Sequence, residues 1–327
     1  MSEHTTVMRA VQRVDACATS YRALAARMGE PTWELIGPPH APVVLVLGGI
    51  SAHRHVAAST TDGTPGWWDC IVGPGKSIDA ARYRILGIDF LDGGRSANGG
   101  PSRVVTTRDQ AMHIARAVQA LGVGPLHAVV GASYGGMVAL ALAEARPRML
   151  KRLIVVSAAD SPHVMTTALR SIQRQIVELG LRTGEVAEAM TLARALAMTT
   201  YRTAREFDSR FDRTAQVHDG QLAFEVEHYL ARAGRKFASR MSPERFLALS
   251  LSADLHRVTP ESVSVPTTLI AAEGDTLVPP SQMLTMAARL PRLEGVHVLQ
   301  TPFGHDAFLT EPEQLGALIS PALDNLS

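Results

Sequence analysis

Runs of apolar residues alternate with amphipathic stretches along the first half of the chain. The amphipathic stretch Thr107–Leu121 has helical periodicity and is followed by Gly122, a residue typical of helix C-caps. The apolar runs have the length and pattern of strands buried on both faces of a sheet. They are Trp33–Ile36, Val43–Leu47, Tyr83–Ile88, Leu126–Val130 and Leu153–Val156. Strands that alternate with helices predict an α/β fold, with a mostly parallel sheet covered by helices on both faces.

This alternation stops after Ser157. The residues from about 160 to 257 have a helical pattern rich in Arg, Met and Ala. Strand patterns return at Thr267–Ala272 and Val296–Leu299. We therefore predict a discontinuous core formed by residues 31–160 and 262–327, a helical lid inserted at residues 161–261, and an N-terminal arm at residues 1–30.

Composition narrows the classes of function. The chain has 327 residues and a formal net charge of +1, which gives no electrostatic argument for a nucleic-acid partner or an anionic membrane. No apolar run reaches the roughly 18 residues that a bilayer crossing needs. Cys17 and Cys70 are too few for a disulfide framework and lack zinc-site spacing, so we expect a cytoplasmic protein without a bound metal. No G-x-G-x-x-G motif accompanies the Gly-rich stretches, so we expect no bound flavin or nicotinamide cofactor.

The segment Gly131-Ala132-Ser133-Tyr134-Gly135 matches the pattern G-x-S-x-G and lies between a predicted strand and a predicted helix. In that context the turn exposes the serine at a helix N-terminus, where backbone N–H groups favour negative charge. A turn this tight leaves little room for side chains beside the nucleophile, which glycine satisfies. The segment therefore predicts a nucleophile at Ser133, with an ordinary Gly-rich turn as the alternative.

Two further residues follow strand ends in the order expected of a catalytic triad. Asp275 follows the predicted strand Thr267–Ala272, and His305 follows Val296–Leu299. A serine hydroxyl needs a base to take its proton, and the base needs a group that orients it. Because the carboxyl ends of parallel strands meet at one edge of a sheet, we predict a triad of Ser133, His305 and Asp275. Taken singly, Asp275 could be a turn residue or a helix N-cap, and His305 a surface histidine.

The loop after Val43–Leu47 is the candidate for an oxyanion hole. Two backbone N–H groups must point at the charge that develops on the acyl oxygen. We expect one from Tyr134, which follows the nucleophile, and the other from Ile50, with Gly49 as the second choice. An ordinary turn at the end of the strand is the alternative reading of this loop.

Several segments outside these motifs resemble one enzyme family, the homoserine O-acetyltransferases and O-succinyltransferases of methionine biosynthesis. The likeness extends from about Val43 to Thr310, and Tyr134 stands where the family commonly has Met. It implies an α/β-hydrolase fold with a helical lid. The segments that carry it are Gly66-Trp67-Trp68, Val72–Asp79, Arg82-Tyr83, Gly136-Met137, Leu192–Arg194, Thr200–Arg202 and Gly304–Leu309.

The resemblance implies a two-step transfer in which Ser133 takes an acyl group from acyl-CoA and the hydroxyl of L-homoserine then receives it. By family position Arg194 would hold the homoserine carboxylate, Asp306 its ammonium group, and Tyr201 would assist. From the residues alone, Arg194 could equally be a solvated helix residue and Asp306 a helix N-cap. The resemblance also implies a homodimer formed through the lid.

The acyl donor depends on whether a buried cation is present for a second carboxylate. A succinyl group carries a free carboxylate that must be paired if it is buried, whereas an acetyl group does not. Arg54, a few residues past the candidate oxyanion loop, is the candidate partner, with a surface arginine as the alternative. On this basis we favour succinyl-CoA over acetyl-CoA.

Three other functions are compatible with parts of the pattern. Serine could replace homoserine as the acceptor, since the two differ by one methylene, worth only about 1–3 kcal/mol of discrimination. Water could replace both, which would make the protein an esterase or thioesterase. A non-catalytic interaction protein is disfavoured because it would have no physical need for Ser133, Asp275 and His305 together.

Overall fold

The computed structural model describes residues 31–94, 101, 104–218 and 221–324. The arm predicted at residues 1–30 lies outside this range. Among the described helices, none combines the length and the apolarity needed to pass through a membrane.

The described residues form a seven-stranded central sheet. Its spatial order is β1-β5-β2-β6-β7-β10-β11, and every neighbouring pair is parallel except β1 with β5. The strands in chain order are β1 (Trp33–Ile36), β2 (Val43–Leu47), β3 (Val72–Gly73), β4 (Ile78–Asp79), β5 (Arg84–Ile88), β6 (Ala128–Ala132), β7 (Leu153–Val156), β8 (Gln216–His218), β9 (Gln221–Ala223), β10 (Thr267–Ala272) and β11 (Leu293–Leu299). The parallel β5-β2-β6-β7-β10-β11 block confirms the α/β expectation.

Helices connect the parallel strands and form the insertion. The α-helices of the described residues are α1 (Thr107–Leu121), α2 (Tyr134–Ala145), α3 (Val164–Thr183), α4 (Val186–Tyr201), α5 (Ala204–Arg210), α6 (Glu225–Ala238), α7 (Pro243–Asp254), α8 (Pro280–Ala287), α9 (Ala307–Thr310) and α10 (Pro312–Asp324). Helix α1 has the predicted bounds, with a Thr106–Asp109 capping box at its start and Gly122 in the left-handed conformation at its end.

Apart from the edge strand β11, the strands of the central sheet are buried on both faces, and successive side chains of each strand point to opposite sides. In β2, Leu45 and Leu47 join the apolar cluster under α1, α2 and α8, while Val44 and Val46 join the cluster on the other face. Trp68 fills the second cluster together with residues of α10, and its indole Nε1 donates to the Phe308 carbonyl over 2.8 Å. This two-sided core fixes the carboxyl ends of the strands relative to one another.

Helices α3 to α7 lie between β7 and β10 in the chain. Four of them, α3, α4, α6 and α7, share a small apolar core, which includes Val177, Met190, Phe237 and Phe246. A short antiparallel hairpin, β8 with β9, interrupts the helices. The sequence did not predict this hairpin, because each of its strands is only three residues long. The strand before the predicted nucleophile also differs, ending at Ala132 rather than Val130, because its pairing with β7 continues to that residue.

Candidate active site

Ser133 sits in the sharp turn between β6 and α2. Its backbone has φ 55° and ψ −123°, a conformation that side-chain-bearing residues rarely adopt. Such strain persists only where surrounding structure imposes it, and it is typical of a serine held at the top of an α/β sheet. The turn leaves the hydroxyl at the N-terminus of α2.

The glycines of the turn are required by close backbone contacts. A Cβ atom added to Gly131 would lie 2.5 Å from the Gly135 carbonyl oxygen, and one added to Gly135 would lie 2.4 Å from the backbone of Leu47. Both distances are shorter than any tolerated contact with a rigid backbone atom. The Gly135 N–H also donates to the Gly48 carbonyl over 2.8 Å, which ties the turn to the loop after β2.

His305 reaches the serine from the loop after β11. Its Nε2 lies 2.8 Å from the Ser133 hydroxyl oxygen, and the ring is buried. The separation is that of a hydrogen bond, so a neutral His305 with its proton on Nδ1 can accept the serine proton.

Asp275 completes the arrangement from the loop after β10. Its Oδ2 lies 2.7 Å from His305 Nδ1, and its Oδ1 accepts the backbone N–H groups of Leu277 and Val278, each over 2.9 Å. Helix α8 begins only at Pro280, so Asp275 is not its N-cap. The carboxylate is held in place from both sides, which fixes the tautomer and orientation of the imidazole.

The pKa of His305 reflects two opposing effects. Burial of the ring lowers the pKa, but the charge of Asp275, the hydrogen bond to Asp275 and the charge of Asp306 together raise it above the ordinary value for histidine. The imidazolium that forms when the serine proton is taken is therefore stabilised where it arises.

The predicted oxyanion residues border the same space. Gly49, Ile50 and Tyr134 all line the cavity into which Ser133 opens. Tyr134 is the first residue of α2, a position at which the backbone N–H has no partner within the helix. The side chain of Tyr134 lies in the core, where its hydroxyl is 2.7 Å from the Ser252 hydroxyl. Burial raises the pKa of the Tyr134 hydroxyl.

This cavity has a volume of about 230 Å³ and lies between the sheet edge and the inserted helices. Arg194 of α4 lines it, with the guanidinium 4.8 Å from the ring centre of Tyr201 and 5.0 Å from that of Phe237. No ion pair involves Arg194 within the described parts of the chain. A cation between two aromatic faces is positioned but still available to an anionic ligand.

Asp306, the residue after His305, also lines the cavity. Its Oδ2 accepts from the Nε of Arg202 over 2.8 Å, which orients the carboxylate. The residue begins the short helix α9, yet its side chain makes no capping hydrogen bond there. The structure therefore brings Ser133, His305, Arg194, Tyr201 and Asp306 to one cavity.

Arg54 is not part of that cavity. Its guanidinium is paired with Asp89, and its backbone N–H donates to the same carboxylate over 2.7 Å. The residue lines a second, neighbouring cavity instead. The sequence analysis chose Arg54 because it follows the candidate oxyanion loop closely in the chain. The chain turns away from Ser133 after Ala52, so this closeness in sequence does not bring Arg54 to the cavity.

A cation that the sequence analysis missed does line the catalytic cavity. Arg170 of α3 contributes to its wall, and both Arg170 and Arg174 approach the Asp254 carboxylate at 2.6 Å. The Nη2 of Arg170 is buried without a well-aligned hydrogen bond. The signal available in the sequence was two arginines one helical turn apart, a spacing common on solvated helix faces.

One group of possible metal ligands occurs among the described residues, formed by Glu34, His55 and Asp62. His55 Nδ1 lies 2.7 Å from the Glu34 carboxylate and Nε2 lies 2.7 Å from the Thr64 carbonyl oxygen. Burial lowers the pKa of His55, but the bonds to Thr64 and Glu34 raise it overall. An imidazole with both nitrogens donating has no lone pair for a metal, so this group is an ion pair.

The fold is that of an α/β hydrolase, and residues 42–312 match the family model for the alpha/beta hydrolase fold. The chain is 41% identical to a homoserine O-succinyltransferase of Xanthomonas campestris, over 89% of this chain and 78% of that protein. It is 33% identical to an L-serine/homoserine O-acetyltransferase of Streptomyces lavendulae, over 91% of each. The chain therefore belongs to the homoserine O-acyltransferase family and is an O-acyltransferase.

A solved homologue supports the same fold at greater sequence distance. The homoserine O-acetyltransferase from Bacillus anthracis superposes with a TM-score of 0.83 at 18% identity, covering 99% of each chain. At that level of identity the likeness concerns the fold alone.

Proposed function

We propose that this protein transfers a succinyl group from succinyl-CoA to the hydroxyl of L-homoserine through an acyl-Ser133 intermediate. The single observation that carries the mechanism is the unbroken hydrogen-bonded series from Ser133 through His305 to Asp275. The relatives named above act on homoserine or serine, which supports the acceptor class.

In the first step the Ser133 oxygen attacks the thioester carbon while its proton moves to His305 Nε2. The carbon–sulfur bond then breaks, and the CoA thiolate leaves with that proton. In the second step the homoserine oxygen attacks the acyl carbon, His305 takes the hydroxyl proton, and the Ser133 oxygen leaves and recovers it. Backbone N–H groups of Tyr134 and of Ile50 or Gly49 would stabilise the oxyanion in both steps.

The charges of homoserine indicate which residues of the cavity would bind it. Homoserine has one carboxylate and one ammonium group, and the cavity wall offers Arg194 without an ion pair and the Asp306 carboxylate. Arg194 would bind the carboxylate of homoserine. Asp306 would bind the ammonium group through the carboxylate oxygen that does not accept from Arg202. The Tyr201 ring, which lies against the Arg194 guanidinium, would keep that group in position.

The donor assignment depends on a second cation in the cavity wall. A succinyl group and homoserine together bring two carboxylates into one cavity, and Arg170 and Arg194 are the two cations that line it. We therefore place the succinyl partner at Arg170 rather than Arg54, which faces another cavity. The inserted helices that carry both arginines would also limit the access of water to the acyl-enzyme.

The test of function is an assay of the purified protein with succinyl-CoA or acetyl-CoA and with homoserine or serine. Thiol release should depend on the acceptor, and mass spectrometry should identify O-succinylhomoserine as the main product. Thiol release at the same rate without any acceptor, with free succinate as the product, would instead identify a thioesterase. A preference for serine would keep the mechanism and change the acceptor.

Replacing Arg170 by glutamine should change the choice of donor. We expect kcat/KM for succinyl-CoA to fall about 10- to 100-fold, and that for acetyl-CoA to fall much less, because only succinate loses a charge-assisted hydrogen bond. Asp254 keeps its pair with Arg174, so the fold should survive. Arg182→Gln, an exposed position on the same helix, is the matched control. Equal losses for both donors would contradict the assignment.

A homodimer through the lid is the assembly we favour. Helix α3 exposes Met165, Ile172 and Leu179 at 60%, 49% and 53%, seven residues apart and therefore on one face. Ile172→Glu should convert the dimer to a monomer in light scattering, because it places a charge in the apolar interface. Leu284→Glu, at an exposed leucine of α8, should leave the dimer intact. A wild-type monomer would contradict the proposal.

A further inference from the structure

A second cavity borders the candidate oxyanion loop. It has a volume of about 420 Å³ and shares Ser51 and Ala52 with the catalytic cavity. The rest of its wall comes from five separate stretches of the chain. These wall residues are Thr32, His53, Arg54, Asp89, Phe90, Leu91, Asp92, His113, Arg240, Met241 and Arg245. None of the steps proposed above uses this second cavity.

The wall carries three arginines against two aspartates. Arg54 and Asp89 neutralise each other. Arg245 donates two N–H groups to the carbonyl oxygens of Phe90 and Ala52, at 3.0 and 3.2 Å. Among the described residues no carboxylate is bonded to this arginine. Arg240 is exposed and makes no ion pair within the described residues.

Two histidines lie in this wall, and burial and nearby charges shift their pKa values. Burial lowers the pKa of His53, Asp89 opposes that effect, and His55, Arg54 and Arg245 lower the pKa further. Deep in the wall, burial together with Arg116 lowers the pKa of His113 to about 4. The guanidinium groups of Arg240, which makes no ion pair among the described residues, and of Arg245 can donate to an anionic ligand with several oxygen acceptors.

We propose that this cavity binds phosphate groups of the CoA donor while the thioester end lies at Ser133. The inference rests on the proposed function, because it needs a donor that carries phosphates on a long arm. The two cavities have Ser51 and Ala52 in common and therefore lie next to each other. A long donor that crosses this loop would place its phosphates in the second cavity. Arg240 and Arg245 are the guanidinium groups that would contact the phosphates, and Arg245 would also hold the loop at Ala52 in place.

The test compares succinyl-CoA with the succinyl thioester of N-acetylcysteamine, which has the same reactive group and no nucleotide. In Arg240→Glu, the ratio of kcat/KM for succinyl-CoA to that for the short thioester should fall about tenfold or more, through KM, because a cation–phosphate contact becomes a repulsion. Arg235→Glu, an exposed position of α6 outside the cavity, should leave the ratio unchanged. The same ratio in wild type and Arg240→Glu would overturn the inference.

Calorimetry with adenosine 3′,5′-bisphosphate provides a readout that does not depend on turnover. It should bind wild type and Arg235→Glu, and bind Arg240→Glu at least about tenfold more weakly. Equal binding to all three, or inorganic phosphate competing as well as the nucleotide, would overturn the assignment to CoA. If short thioesters acylate Ser133 but CoA thioesters do not, the proposed donor fails as well. If CoA thioesters react and the bisphosphate does not bind, only this inference fails.

Discussion

Replacement of Ser133 by alanine should abolish the acyl-enzyme and lower kcat by about 10⁴-fold or more, since removal of any member of a serine triad has effects of that size. The hydroxyl oxygen of Ser133 lies 2.8 Å from His305 Nε2 and can form the ester. Intact-protein mass spectrometry after mixing with succinyl-CoA should show a succinyl adduct on wild type and none on the variant.

The variant should fold normally, because alanine removes only the hydroxyl from a turn whose backbone is set by Gly131 and Gly135. The melting temperature checks this point. Ser281→Ala, at an exposed serine of α8, is a control that should keep full activity. Full turnover by Ser133→Ala would exclude a covalent mechanism at this residue.

The parts of the fold that the sequence predicted are those with strong local patterns. Strands such as Val43–Leu47 were found because both faces of the sheet bury them, so they are apolar throughout. The bounds of α1 were found because Gly122 ends the helix in a conformation that favours glycine. The hairpin of β8 and β9 carries no such pattern, since it lies exposed on the insertion and has short strands.

The catalytic arrangement was predictable for a topological reason. In a parallel sheet the carboxyl ends of β6, β10 and β11 lie at one edge, so residues that follow these strands are brought together whatever their separation in the chain. The position of Arg170, which we propose as the partner of the succinyl carboxylate, was not predictable in this way. Arg170 reaches the cavity only because of how α3 packs over the sheet, whereas Arg54 is near Ser51 in the chain and faces the other cavity.

Asp275 acts through His305, and its replacement by asparagine should therefore change both the rate and the pH dependence. We expect kcat to fall about 10³- to 10⁴-fold, because an amide does not stabilise the imidazolium and can favour the wrong tautomer. The amide keeps the shape of the carboxylate and can still accept from the Leu277 and Val278 N–H groups, so the loop should remain folded.

The sign of the pH effect follows from the causes of the His305 pKa. His305 must be neutral to take the serine proton, and Asp275 raises its pKa, so the wild-type acidic limb of kcat/KM should lie above the ordinary histidine value of about 6.5. Asp275→Asn removes the charge that raises the His305 pKa, while burial still lowers it. The pKa of His305 should therefore fall, and the acidic limb of kcat/KM should move to lower pH. Stopped-flow thiol release across pH measures it directly. In Glu178→Gln, which removes an exposed carboxylate of α3, the limb should stay near its wild-type position. An unmoved limb in Asp275→Asn would mean that the Asp275 charge does not set the protonation of the base.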